Sequence, residues 1–273
     1  MTRIALVCLD IDGTLVGSTG EIDERVWAAA AAARDSGIRI AICSGRPALG
    51  VALQYAKRLD AGGWHSFQNG ASIVHLDTGA SHSVSLPPAV VPELIDRARR
   101  HGRILELYSD TDYTVESTAP RAVAHAALLG VPFVPRPLDS YTGPVVRAQW
   151  VVAHDEADAV LAESHFGLEV SHSSSPVMPD TSFVGVTPSG VNKAVAVRAI
   201  AAEYRVSLEA VMFVGDGGND LAAMRVVGFA VATANAEPDV RDVARLVVSH
   251  VDDGGAAQAL HIAASGRRYA ASR

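Results

Sequence analysis

Cysteine is scarce in this chain: Cys8 and Cys43 are the only two in 273 residues. Both fall in apolar stretches, which predicts buried thiols rather than a disulfide framework or a reactive pair. Long apolar runs are missing too. None reaches the ~18 residues that a membrane-spanning helix needs, so no membrane partner is expected. Basic runs are short, the longest being "RARRHGR", and the formal net charge is -7. A nucleic-acid backbone is met by a basic stripe, so no nucleic-acid partner is expected either. Aromatics make up only 5% of the chain. Trp27, Trp64 and Trp150 lie far apart, as packing residues do, and offer no stacking platform for bases. The ten histidines include no HExxH and no pair four residues apart, which argues against a histidine metal centre. Neither GxGxxG nor GxxxxGK followed by Ser or Thr occurs, which argues against a dinucleotide or nucleoside-triphosphate cradle. Met1-Thr2-Arg3 runs straight into an apolar stretch, without the small-residue cleavage site of a signal peptide. A soluble, cytoplasmic protein is the expectation.

What is abundant is apolar residue, 49% of the total, enough for a sizeable core and unlike a disordered chain. It comes in a rhythm. "RIALVCLD" reads as a strand with almost no polar residue, the kind that suits a parallel sheet covered on both faces. "DERVWAAAAAARDSG" reads as a helix, with Asp23 as N-cap, Gly37 as stop and alanines as strong helix formers. "IRIAICSG" is a second buried strand, "ALGVALQYAKRLD" a second helix, and "SFQNGASIVHL" a strand broken by a turn at Asn69-Gly70. That alternation predicts a doubly wound sheet.

The rhythm changes near residue 83. Pro87, Pro88 and Pro92 precede a helix, "VPELIDRARRHG". "RILELYSD" and "YTVES" form a hairpin around Asp110–Asp112. "PRAVAHAALLG" is helical, "VVRAQWVVA" a strand, "EADAVLAESHFG" a helix, and "LEVSHS" and "SFVGVTP" are strands. The serine-rich "SHSSSPVMPDTS" reads as a loop between the last two. From Val191 the first rhythm returns, with helices "VNKAVAVRAIAAEYR" and "NDLAAMRVVG" and strands "AVMFVGD" and "FAVAT". The expected fold class is α/β. A doubly wound parallel, Rossmann-like core over residues 1–82 and 187–273 is interrupted by an α+β insert over 83–186.

Ligands of open α/β sheets bind beyond the carboxyl ends of the strands. Polar residues gather at such ends here: Asp10 and Asp12, Ser44, Asn69, and Asp216 with Asp220. Lys193 opens the helix after the insert. Any one of them could be a turn former. Together they say more, because clustered carboxylates raise one another's pKa unless a cation binds. Three acids and a lysine at one rim suggest a Mg²⁺ site with oxygen ligands and a place for a substrate phosphate. The Asp10/Asp12 pair then divides the labour. One ionised carboxylate attacks phosphorus and forms an aspartyl-phosphate. The other, past a turn loosened by Gly13, protonates the leaving oxygen and later takes a proton from water. Lys193 and the Ser44 hydroxyl would hold phosphoryl oxygens.

"DIDGTL" (Asp10 to Leu15), "SGR" (Ser44 to Arg46), Lys193 and "GDGGND" (Gly215 to Asp220) resemble the four motifs of the haloacid-dehalogenase-like phosphatases. In order and spacing they are most similar to the Cof-type branch, whose α+β cap (type IIB) sits between the second and third motifs. The resemblance covers nearly the whole chain. It implies that Asp10 is the nucleophile and Asp12 the general acid/base. It implies Mg²⁺ held by the Asp10 side chain, the Asp12 backbone carbonyl and Asp216, with Asp220 in or just behind the metal shell. Thr14, Ser44, Gly45, Arg46, Asn69 and Asn219 would face phosphate or substrate, and Lys193 would stabilise both nucleophile and phosphate. "VATANAEPDV" resembles the family's last core loop, where Asn235 lies near the site, although Thr233-Ala234 stand where Met-Gly is usual. Asn192, before the lysine, fits a helix N-cap.

The resemblance implies a Mg²⁺-dependent phosphatase acting on a small phosphorylated metabolite, a sugar phosphate or a cofactor phosphate such as pyridoxal phosphate or FMN. A phosphomutase similar to phosphomannomutase shares the nucleophile pair. A non-catalytic sugar-phosphate-binding protein would have lost Asp10, Asp12 or Lys193, and this chain keeps all three.

Overall fold

The computed structural model describes residues 2–165, 167–175 and 177–266. In chain order the first elements are β1 (Leu6–Leu9), α1 (Glu24–Asp35), β2 (Arg39–Ile42), α2 (Gly50–Asp60), β3 (Trp64–Phe67) and β4 (Ser72–His75). Then come α3 (Val90–His101), β5 (Ile104–Tyr108), β6 (Tyr113–Val115), α4 (Pro120–Leu129), β7 (Arg147–Ala153), α5 (Ala157–Leu161), β8 (Glu169–Ser175) and β9 (Met178–Thr187). The last are α6 (Lys193–Glu203), β10 (Val211–Gly215), α7 (Leu221–Met224), β11 (Phe229–Ala232), α8 (Pro238–Val243), β12 (Leu246–Val247) and α9 (Gly255–Ala264). They fall into two compact units. The first comprises Met1–Gly45, Gln54–His82 and Asn192–Arg273, and the second Arg46–Leu53 and Ser83–Val191.

The first unit is built on a parallel sheet ordered β12-β11-β10-β1-β2. Its central strands β1, β10 and β11 are apolar and buried along their length, as strands covered on both faces are. Leu6 and Cys8 of β1 and Val211 and Phe213 of β10 pack against Ala196, Val197 and Ile200 of α6. On the opposite face α9 lies against β1, β10 and α1. From β1 the chain crosses through α1 to β2 on one side, whereas β10 enters the sheet on the other. The β1/β10 boundary is therefore the switch point of the winding, where a crevice opens beyond the strand ends. Asp23 caps α1 as expected, accepting from the Arg25 backbone N–H at 2.7 Å.

The third strand of the rhythm departs from expectation. β3 pairs antiparallel with β4 in a hairpin of its own and touches the parallel sheet at a single bridge, Cys43 to Ser66. The reason is His65. Burial pushes its pKa down to about 4, so the ring is neutral. Its Nδ1 accepts the Ile42 N–H at 3.0 Å, a bond a ladder carbonyl would otherwise take, while Nε2 donates to the Asp60 carbonyl at 2.8 Å. The "NDLAAMRVVG" segment is also less helical than its alanines suggest, forming one 3-10 turn (Gly218–Asp220) and the short α7.

The second unit carries an antiparallel sheet ordered β6-β5-β7-β9-β8. Leu105, Leu107, Ala148, Trp150, Val184 and Val186 alternate onto one face and pack against Leu94, Ile95 and Ala98 of α3. The other face buries a polar network. Glu106 accepts from Tyr108 Oη at 2.5 Å, from His125 Nδ1 of α4 at 2.9 Å and from Gln149 Nε2 at 3.2 Å. The Arg147 guanidinium lies 4.5 Å over the Tyr108 ring. Two expectations are corrected here. The serine-rich stretch is not a loop: β8 runs through Ser175 and β9 starts at Met178. Because β9 pairs on both sides, with β7 and β8, ladder hydrogen bonds outweigh the turn preference of Ser and Pro. Pro176, between them, lies outside the described residues. The helix expected over 156–167 shrinks to α5, ending well before Gly167, whose φ is +73°.

Candidate active site

The site grows from the ends of β1 and β10. Asp10 is still in sheet register, its N–H donating to the Val214 carbonyl at 3.0 Å. The chain then turns back on itself, and the N–H groups of Leu15 and Val16 both donate to the Ile11 carbonyl. Gly13 makes the turn possible. Its φ is +79°, and a Cβ there would sit 2.0 Å from Asp216 Oδ2. Thr14, buried, donates its hydroxyl to Asp216 Oδ1 at 2.6 Å. At the end of β10, Asp220 folds back under the loop, its Oδ2 accepting from the backbone N–H groups of Asp216 (2.9 Å) and Gly217 (3.1 Å). That return needs Gly215, where a Cβ would lie 2.4 Å from the same oxygen.

Lys193 enters from the first turn of α6. Asn192 caps that helix, accepting from the Val195 N–H at 3.1 Å. The Lys193 side chain is 0% exposed, and its Nζ lies 2.8 Å from Asp10 Oδ1 and 2.6 Å from Asp220 Oδ1. Burial lowers its pKa, but Asp10 and Asp220 outweigh burial and hold it above the ordinary value. Burial raises Asp10 well above the usual carboxylate range; Lys193 opposes the rise, and Asp220 and Asp216 add to it. Asp216 is pushed up to about 7, chiefly by burial, against the Thr14 hydrogen bond and with the charge of Asp220.

Oxygens of Asp10, Asp216 and Asp220 lie within 4.8 Å of one another. Three carboxylates share one ammonium, so the cluster is short of positive charge. Its donors are hard oxygens, and burial disfavours the charged forms of Asp10 and Asp216, a cost that a bound cation would offset. The residues present fit a divalent cation of the oxygen-loving kind.

The other sequence candidates group around this centre or apart from it. Asp12 is exposed on the turn. Ser44 is buried at the end of β2, with its N–H donating to the Ser66 carbonyl at 3.0 Å and its carbonyl accepting from the Asn69 N–H at 2.9 Å. These bonds draw the β3–β4 turn to the rim, where Asn69 adopts φ +55°. Asn69 Oδ1 accepts from Asn219 Nδ2 at 3.0 Å and lies against Gly45. Arg46 is grouped apart, as the first residue of the second unit. Sequence reasoning missed Thr233, which directs its hydroxyl to the Gly13 carbonyl at 3.4 Å. Its one sequence signal is its place at the end of β11, the next strand along the rim. Cys8 and Cys43 are both buried, and Cys43, followed by burial, raises the Cys8 thiol well above its ordinary pKa. Such a thiol stays protonated and inert.

The family model of the haloacid dehalogenase-like hydrolases matches residues 7–260, and the chain belongs to that family, with the Cof-type resemblance upheld. Among its relatives is YxeH of Bacillus subtilis (strain 168), which carries a provisional phosphatase name. It is 26% identical over 261 residues, covering 94% of this chain and 97% of that protein. A second relative, from the same organism, is 5-amino-6-(5-phospho-D-ribitylamino)uracil phosphatase YitU, 26% identical over 270 residues and covering 95% and 97%. A solved haloacid dehalogenase-like hydrolase from Bacteroides thetaiotaomicron superposes with a TM-score of 0.84 at 27% identity, covering 95% of this chain and 99% of the other. The chain is thus an enzyme of the phosphoric monoester hydrolase class. Among the described residues no helix is long and apolar enough to cross a membrane.

Proposed function

We propose that this protein is a cytoplasmic, Mg²⁺-dependent phosphatase of small-metabolite phosphomonoesters that works through an aspartyl-phosphate. Asp10 attacks phosphorus, and the bond from phosphorus to the ester oxygen breaks. Asp12 gives that oxygen its proton, so the alcohol leaves neutral. In the second half Asp12 takes a proton from water, the water oxygen bonds to phosphorus, and the bond to Asp10 breaks, releasing inorganic phosphate. Lys193 aims Asp10 and offsets its charge. The Asp10 side chain, the Asp12 carbonyl and Asp216 would hold Mg²⁺, with Asp220 behind them, since its oxygens already serve Lys193 and the loop amides. When bound, the cation would neutralise charge between the nucleophile and the phosphate oxygens. Thr14, Ser44, Gly45, Asn69, Asn219 and Arg46 would take the phosphate and the near part of the substrate.

The observation that carries this reading is the buried, charge-deficient cluster of Asp10, Asp216 and Asp220 on Lys193 at the sheet's switch point. The substrate class is a sugar phosphate or a cofactor phosphate such as pyridoxal phosphate or FMN. The relative YitU, named for a phosphoribityl compound, supports that class. Residues 83–186 form the cap that selects among such esters.

The test is phosphate release from a panel of such esters, with Mg²⁺ and with EDTA, for the parent and Asp10→Asn. Metal-dependent release that Asp10→Asn abolishes is the expected result. Isomer exchange of a phosphohexose without net phosphate release would replace the hydrolase reading with a mutase.

A further inference from the structure

We infer that Asn235 is a positioning residue for catalysis, acting through the carbonyl of Gly13 to hold the turn that carries Asp12. The inference rests on the phosphatase reading above and extends it to a residue outside the acidic cluster. Asn235 Nδ2 donates to the Gly13 carbonyl at 2.7 Å, while its Oδ1 accepts from the Val251 N–H at 2.9 Å. A side-chain amide is planar, and one that makes both bonds cannot turn without losing them. Gly13 is the natural weak point of the turn, since a glycine at positive φ has many alternatives. Its N–H is tied to the Val16 carbonyl at 2.9 Å. With Asn235 on its carbonyl, both peptide planes that flank Gly13 are fixed. One of those planes contains the Asp12 carbonyl and the other leads into Thr14.

The loop that supplies Val251 also grips the chain farther out. Asp252 Oδ1 accepts the Ser18 N–H at 2.9 Å, and Arg25 donates to the carbonyls of Asp252 and Asp253 at 3.3 and 3.2 Å. The brace therefore has an inner post at Asn235 and an outer post at Asp252, and only the inner one reaches Gly13. This contrast makes the inference testable.

Asn235→Asp keeps the shape and the acceptor for Val251 but removes the shorter of two hydrogen bonds to the Gly13 carbonyl, leaving only the Thr233 hydroxyl at 3.4 Å. Misplacing a catalytic group by an ångström costs about 10²-fold in rate, so kcat should fall about 10- to 100-fold while KM stays within about threefold. Asn235→Ala should repeat the kcat loss. Asp252→Ala, which removes the acceptor for Ser18, should leave kcat within about twofold. Amide hydrogen exchange gives a readout independent of turnover. Asn235→Asp should speed exchange in residues 11–16, and Asp252→Ala only in residues 17–22. Unchanged kcat in folded Asn235→Asp overturns the inference, as does an equal kcat loss in Asp252→Ala. A parent that releases no phosphate from any ester sinks the phosphatase reading itself. The exchange data then still decide whether Asn235 holds the Gly13 turn.

Discussion

In the first unit Asp10 and Asp220 share one ammonium, that of Lys193, and Asp216 lies within 4.8 Å of both carboxylates. In the second, Glu106 alone accepts from Tyr108, His125 and Gln149, and a guanidinium lies over the tyrosine ring. Both clusters are buried and both are hydrogen-bonded, yet they differ in balance. The second has a donor for its one carboxylate on every side, so it closes on itself and serves the packing of its sheet. The first has more negative charge than its own residues can offset, so it is finished only by something from outside. Burial therefore does not by itself mark a reactive site, whereas an unbalanced buried charge does.

The largest expected effect comes from removing the ammonium. Lys193→Met leaves Asp10 and Asp220 facing each other in a closed space. Breaking a buried ion pair on one side costs about 3–5 kcal/mol, and phosphate release should disappear with it. Denaturant titration in EDTA measures the first effect; a variant as stable as the parent would mean the cluster tolerates its own repulsion. A smaller effect is expected in the second unit. Glu106→Gln weakens the bond to His125 and should cost about 1–3 kcal/mol, with turnover of an unselective ester per folded molecule within about twofold. Lost turnover at unchanged stability would give that network a part in substrate choice and erase the contrast.

The smallest effect sharpens the comparison through pH. Asp216 titrates at about 7 when folded, above its ordinary 3.8. Its protonated form therefore stabilises the fold, fully below pH ~4, and that contribution is lost as pH rises through about 7. Metal-free protein should lose melting temperature over this window. A cation that takes the proton's place should restore it, so the rise caused by Mg²⁺ should be a few degrees at pH 8 and less at pH 5. Equal rises at both pH values would remove Asp216 from the cation site.

Much of this was legible in the sequence because the signals were local and redundant. An unbroken apolar strand ending in Asp10 and a helix opening at Asn192-Lys193 each carry their own caps and periodicity, and both occur as expected. Elements that depend on distant partners were harder to read. The strand character of Ser171–Ser175 comes from pairing with β9, which no window of serines reveals. The separate hairpin of β3 and β4 follows from one imidazole that intercepts the Ile42 N–H. At the site, the acids were readable as types at strand ends. The grip of Asn235 and Thr233 on Gly13 was not, because it joins backbone to side chain across about 220 residues.

The pairing of β1 with β10 has a consequence for how the protein is made. Leu6 lies beside Val211, so about 200 residues must be synthesised before β1 meets that neighbour. At about 5–20 residues per second on a ribosome, that is a wait of roughly 10–40 s. The antiparallel unit, most of which is the continuous segment Ser83–Val191, emerges within that interval and needs little beyond itself to begin folding. Asp10, meanwhile, is translated long before Lys193, Asp216 and Asp220. The nascent chain carries Asp10 without a counter-charge, and an apolar strand without its later neighbour, until late in its synthesis. For a bacterial or eukaryotic expression host alike, the vulnerable species is this half-made sheet, whose open edge invites association with other chains.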